Sequence, residues 1–138
     1  NARGDGFLYR LPTEAEWEYC ARANDPNEYP RNLADVAWTS SNSGDQLQEA
    51  ASARMSNGWG LYDMLGNASE WTNDWMSPDY YRSSPPRDPK GPPSGEARIF
   101  RGGNGGTGDM VAGYAYRFAD RPAAKGPWLG FRVVRERR

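Results

Sequence analysis

The sequence predicts a loop-rich globular domain with one short helix and a few short strands, and three observations predict it. Aromatic residues make up 13% of the chain, with six Trp and eight Tyr, so large rings rather than long aliphatic strands are expected to fill a small core. Sixteen Gly and eleven Pro, with a mean hydropathy of −0.94, leave room only for short regular elements. No internal repeat and no long helical pattern is present. Backbone groups in loops lack a regular ladder and must find side chains, water or bound ions, which is a first pointer to a metal.

The elements follow in order. Arg10 to Ala23 reads as a short helix. Thr13 is placed to cap it and Glu16, three residues on, completes a capping box. Trp17, Cys20 and Ala21 share its apolar face, and Glu18 and Arg22 stand at i,i+4. Cys20 is expected as a small buried residue rather than a reactive thiol. Residues 24–57 are polar and broken by Pro26, Pro30 and Gly44, so they read as loop anchored by Val36, Ala37, Trp38 and Leu47. A turn-rich stretch, Ser56 to Gly60, leads into the aromatic and acidic residues 61–75, and a Pro-rich loop follows through residues 88–95. Arg98 to Arg101 reads as a strand ending at Gly102-Gly103; residues 104–128 read as irregular; Leu129 to Val134 reads as a closing strand by its alternation.

Charge and residue counts exclude several functions. With 17 basic and 18 acidic residues the net charge is −1, which gives no attraction to nucleic acid or to an anionic membrane. No stretch of about 18 apolar residues is present to span a bilayer. The basic tail Arg132 to Arg138 reads as a solvated end. A single cysteine, Cys20, excludes an internal disulfide, and the absence of histidine excludes a His-based metal site, a His general base and a Ser-His-Asp triad. No signal-peptide pattern is visible, and the first residue is not Met, as in a processed or trimmed piece.

Five blocks in order, RLPTEAEWEYCARA, GLYDMLGNASEWTNDW, DPKGPPSG, RIFRGG and LGFRVV, resemble the successive signatures of formylglycine-generating-enzyme (sulfatase-modifying-factor) domains. The resemblance implies an α+β, C-type-lectin-like fold: loop-rich, with short antiparallel strands, few helices and loops held by calcium. It also implies that residues 1–138 are the C-terminal part of one such domain, Asn1 to Tyr9 being the end of the preceding half. That N-terminal half, or a partner chain, is then expected to complete the core.

The oxidising members of the family bind copper through a cysteine pair in the loop after the RGG block. Here that loop, Asn104 to Arg117, has no cysteine and is shorter; Thr107 stands near the first position and the second has no counterpart. Neither Thr107 nor Met110 replaces two soft thiolates, and the histidines used by the iron-binding branch are absent, so no copper or iron is expected. Taken alone, Asp63 reads as a turn cap and Glu70 as a residue on a solvated face. The resemblance instead implies a structural calcium with Asp63 and Glu70 giving carboxylate oxygens and Gly66 and Ala68 giving carbonyls, a donor set that suits this hard ion.

Family members without the cysteine pair include binding proteins, among them the variable proteins of diversity-generating retroelements, whose segment between RGG and GFR faces the ligand. In this segment Thr107, Asp109, Met110, Tyr114, Tyr116, Phe118, Asp120 and Trp128 are the candidate contacts, with the Tyr and small-polar composition of adaptable binding surfaces. Arg101 and Arg132 read as structural, each able to satisfy several loop carbonyls. The expectation is a non-catalytic, calcium-stabilised ligand-binding or accessory domain for a protein or surface ligand, in an exported or cell-surface location. The alternatives are a sulfatase-modifying oxidoreductase whose catalytic groups lie outside this chain, and a structural subunit of a larger assembly.

Overall fold

The structure, a computed structural model, describes residues 6–137. Thr13 starts helix α1 (Glu14–Arg22) through the expected reciprocal cap: its hydroxyl accepts from the Glu16 N–H at 3.2 Å, and the Glu16 carboxylate accepts from the Thr13 N–H at 2.8 Å. Ala23 ends the helix in the left-handed region at φ 46°. The Asn57 amide then donates to the carbonyls of Cys20 and Ala21, so the SNGWG turn caps the far end. Trp17 and Ala21 face the core at 1% exposure each, Cys20 lies half-buried at its margin, and Glu18 pairs with Arg22 at 2.9 Å.

Among the described residues eight short strands accompany this helix, which packs on β4 and β5. Strands β1 (Phe7–Arg10) and β8 (Val134–Arg137) form an antiparallel ribbon, and β2 (Ala37–Trp38) pairs in parallel with β3 (Leu65–Gly66). The main sheet runs β6-β5-β4-β7, built from β4 (Ser69–Trp75), β5 (Arg98–Arg101), β6 (Arg117–Asp120) and β7 (Leu129–Phe131). Its β4–β5 and β5–β6 pairs are antiparallel, whereas β4–β7 is parallel. Short helices α2 (Leu33–Val36) and α3 (Tyr80–Ser83) and a 3-10 turn over Asp109–Val111 complete the fold.

The core cluster is Trp17, Ala21, Ala37, Met64, Leu65 and Tyr114, with Ile99 also buried. Beside it lies a buried ionic network. Arg101, 0% exposed, donates to Glu14 at 2.5 Å, to Glu18 at 2.7 Å and to the Tyr114 carbonyl, while Arg117 grips Glu14 through both carboxylate oxygens. A buried guanidinium is tolerated because nearly every donor finds an acceptor; its Nε alone has none. Chain crossing is tightest at Gly66, where φ is +72° and a Cβ would lie 2.1 Å from the Trp38 carbonyl oxygen.

Several sequence expectations need correction, among them the solvated tail, since Arg132 pairs with Glu70 and Val134–Arg137 is laddered to β1. Leu47 is 50% exposed and anchors nothing. The closing strand is two strands in different sheets, because Arg132 leaves the ladder between them to reach Glu70. Within the irregular segment, residues 117–120 form β6, whose alternation is hidden by charges at both ends (Arg117 and Asp120). Arg138 and residues 1–5 lie outside the described residues.

Candidate functional site

The two faces of the main sheet differ in character. Glu70, Thr72 and Asp74 of β4, with Ile99 and Arg101 of β5, are buried on the face toward α1. The alternate residues point the other way, and strand register sets them in rows. Phe118 is paired with Phe100, Phe100 with Trp71, and Trp71 with Phe131, so one aromatic row crosses all four strands. Phe118 and Phe100 stack with ring centres 5.5 Å apart, and Phe100 meets Trp71 edge-on at 5.2 Å. Tyr116 extends the row 6.5 Å beyond Phe118, and Phe131, at 68% exposure, is its open end. A second row pairs Asp120, Arg98 and Trp75, the guanidinium lying 3.9 Å from the indole.

Of the candidate ligand contacts, Phe118 and Tyr116 therefore stand on this outer aromatic row, and Asp120 on its neighbour. Tyr114 needs correction as a surface contact. Its ring packs in the core at 4% exposure, and its hydroxyl donates to Asp25 at 3.2 Å. Burial and the Asp25 carboxylate push that phenol up to about 12. Asp109 and Met110 are exposed on the 3-10 turn, away from the aromatic pairs, and Asp109 accepts from the hydroxyls of Thr39 at 2.5 Å and Ser41 at 2.9 Å. Thr107 closes its own turn, its hydroxyl accepting from the Asn104 N–H at 2.9 Å and donating to the Asn104 carbonyl. Trp128 lies on the Gly105-Gly106 backbone, where a Cβ on Gly105 would come within 2.7 Å of its ring.

Trp71, Phe100 and Phe131 were missed by sequence reasoning. Each lies inside a signature block, and only the register reveals that they share one row with Phe118.

Of the candidate calcium residues, Glu70 and the Asp63 carbonyl meet at Arg132. Glu70, 8% exposed, accepts from Trp17 Nε1 at 2.7 Å and from Arg132 at 2.6 and 2.7 Å, so both carboxylate oxygens are engaged. Arg132 also donates to the carbonyls of Tyr62 and Asp63. Asp63 sits at φ +53°; its Oδ2 accepts from the Ala51 N–H at 2.6 Å, while its buried Oδ1 has no partner. That orphaned oxygen, next to Gly66 and Ala68 in sequence, fits a hard cation; Glu70 would have to share its oxygens with Arg132. Among the described residues no group of three or more His, Cys, Asp or Glu side chains is gathered to hold a metal.

The sulfatase-modifying factor enzyme 1-like domain matches residues 1–137. This chain belongs to that family. It is 34% identical to the formylglycine-generating enzyme of Streptomyces coelicolor over 92% of this chain and 46% of the relative. It is 35% identical to the serine/threonine-protein kinase Pkn1 of Chlamydia trachomatis over 92% of this chain and 21% of the relative. Among solved structures, Treponema denticola variable protein 1 superposes with a TM-score of 0.85 at 35% identity, covering 94% of this chain and 48% of that one. PvdO from Pseudomonas aeruginosa gives 0.80 at 30% identity, covering 93% and 52%. The chain thus spans about half the length of these structures and less than half of the two curated relatives. These neighbours place the loop-rich, short-stranded architecture among the C-type-lectin-like folds of the sulfatase-modifying factor family.

Proposed function

We propose that this chain is a non-catalytic ligand-binding or accessory domain of the sulfatase-modifying factor family, stabilised by calcium. The observation that carries the binding reading is the aromatic row Phe118–Phe100–Trp71–Phe131, a rigid platform on the outer face of the main sheet. Rings of this kind give large contact area at small entropic cost, and they suit a protein segment that offers apolar or aromatic side chains. The likeness to a variable protein at a TM-score of 0.85 supports the same reading. The non-catalytic reading rests on the sequence of residues 104–117, where no thiol stands in place of the copper-binding pair.

The same row also suits a second role in completing a larger domain, because the chain spans about half the length of its structural relatives. On that reading residues 1–138 are the C-terminal part of one domain, and the N-terminal half or a partner chain lies on the uncovered face. Peptides selected from a displayed random library, tested against the wild type and the Phe118→Ser and Phe100→Ser variants, separate the two roles. The binding reading expects selected peptides rich in aromatic residues and at least a tenfold loss of affinity in either variant, with the melting temperature little changed. A fall in stability without any selected binder would assign the face to the core of a larger domain.

The 34% identity to a formylglycine-generating enzyme favours one further reading, an oxidoreductase whose catalytic groups lie outside this chain. Turnover of a cysteine-containing sulfatase peptide by the full-length protein, or stoichiometric copper binding lost on mutating residues 104–117, would establish it and overturn the non-catalytic one.

The calcium proposal assigns Asp63 Oδ1 and the carbonyls of Gly66 and Ala68 as ligands, with Glu70 joining through an oxygen now shared with Arg132. When bound, the ion supplies charge and coordination that tie the 63–70 turn to β4.

A further inference from the structure

Asp74 lies on the inner face of β4 at 4% exposure, and its Oδ2 accepts one hydrogen bond, from the Glu14 N–H at 2.8 Å. Glu14 beside it is held by Arg101 and Arg117, whereas Asp74 has no ion-pair partner among the described residues. The Pro-rich loop lies directly on this carboxylate: a Cβ at Gly91, where φ is +75°, would come within 2.8 Å of Asp74 Cβ and Oδ1. The same loop walls two clefts. Asp88, Pro89 and Lys90 close one of about 1030 Å³ against Arg10, Tyr19 and Glu136, and residues 90–93 close one of about 420 Å³ against Trp75 and Arg98.

We propose that Asp74 is a pH-sensitive latch for the loop 88–95: neutral, it allows the loop to close on β4, and ionised, it favours a loop that lifts and admits water. Lifting moves the shared wall of both clefts, so the latch sets access to them. The proposal rests on no part of the reading of the outer aromatic face.

The surroundings set the direction. From α1, Glu14 and Glu16 face the carboxylate; from β6, Arg117 does; Arg101 of β5 and Tyr81 of α3 act one step away, through Glu14 and Arg117. On the loop itself, Asp88 and Lys90 flank Gly91. Burial raises the carboxyl most; the Glu14 N–H and Arg117 oppose it, repulsion by Glu14 and Glu16 adds to it, and the result is about 6 against an ordinary 3.8. A lifted loop hydrates the group and returns it toward the ordinary value. Lifting is therefore unaffected by pH below that value, grows easier as pH rises toward 6, and levels off above it. Between pH 5 and 7.5 the open population rises by up to about tenfold.

Hydrogen exchange of the full chain between pH 5 and 7.5, corrected for intrinsic rates, tests this together with a carbon-13 titration of the Asp74 carboxyl. Two bonded amides report the loop, that of Glu14, which donates to Asp74 beneath it, and that of Met76, which donates to the Ala97 carbonyl at its end; their protection is expected to fall by up to about tenfold in the wild type. In Asp74→Asn, which keeps an acceptor for the Glu14 N–H, it should stay flat. Equal pH dependence in both proteins, pH-independent protection, or a carboxyl titrating near 4 would overturn the latch. Should the variant fail to fold, the wild type alone decides: protection of the Glu14 and Met76 amides must change with the same midpoint as the Asp74 carboxyl, and a different midpoint refutes the proposal.

Discussion

Arg101 is the residue on which the ionic core turns, since it joins α1 through Glu14 and Glu18 to the Tyr114 carbonyl with no contact to solvent. Arg101→Leu leaves Glu18 with Arg22 and Glu14 with Arg117, but strips a buried carboxylate of one partner. A loss of about 3 kcal/mol is expected in urea unfolding, at the lower end for breaking a buried pair because Arg117 remains. Glu16 gives a separate pH signature. Its hydrogen bond to Arg10 holds its carboxyl below the ordinary value despite some burial. For an acid with a lowered folded pKa, stability is present above the unfolded value of about 4.5 and is lost as pH falls through the folded one. Glu16→Gln is therefore expected to flatten the decline in melting temperature between pH 5 and 3 relative to the wild type, as followed by circular dichroism. The Thr13–Glu16 box and the Glu18–Arg22 pair were legible in the sequence, because each depends only on local spacing. The carboxylate partners of Arg101 and the amide partner of Asp74 were not, since they lie 87, 83 and 60 positions away in the chain.

Elements were legible where local pattern and tertiary role agree. Helix α1 and strand β5 fall within the expected spans, each marked by its own boundary signal: a capping Thr13 at one and the Gly102-Gly103 pair at the other. The split between β7 and β8 was hidden because Leu129 to Val134 alternates without a break, while Arg132 answers to a carboxylate on β4. The aromatic row was hidden for a related reason, since each strand contributes a single ring and only pairing unites them. Two substitutions test the element boundaries. Thr13→Ala removes the acceptor for the Glu16 N–H and is expected to cost about 1 kcal/mol in chemical denaturation. Gly66→Ala meets both a positive φ and the Trp38 carbonyl, so it should cost more than any exposed helix substitution and impair soluble expression. A Gly66→Ala protein as stable as the wild type would show that β2 and β3 do not cross as closely as described.

At the scale of the whole molecule, the fold must fix long loops with few ladders, and two devices compete for that work around β4. One is the Arg132 guanidinium, which already joins Glu70 to the Tyr62 and Asp63 carbonyls. The other is the proposed calcium, for which the unpartnered Asp63 Oδ1 is the free donor. They predict different responses to chelation. An ion bound only by the folded state stabilises by a term that grows with its free concentration, about 2.7 kcal/mol at a hundredfold excess over Kd. If calcium holds the turn, a chelator should lower the melting temperature by several degrees, excess calcium should restore it, and magnesium should not, because its smaller shell demands stricter geometry. Asp63→Asn should then abolish most of the chelator effect while leaving the Glu70–Arg132 pair in place. If Arg132 alone supplies the positive charge, the chelator should do nothing and Arg132→Gln should be destabilising in every buffer, since Glu70 would remain buried with only the Trp17 indole as donor. Thermal unfolding of the wild type and these two variants, with and without chelator, thus assigns the tie between the 63–70 turn and β4 to an ion or to a side chain.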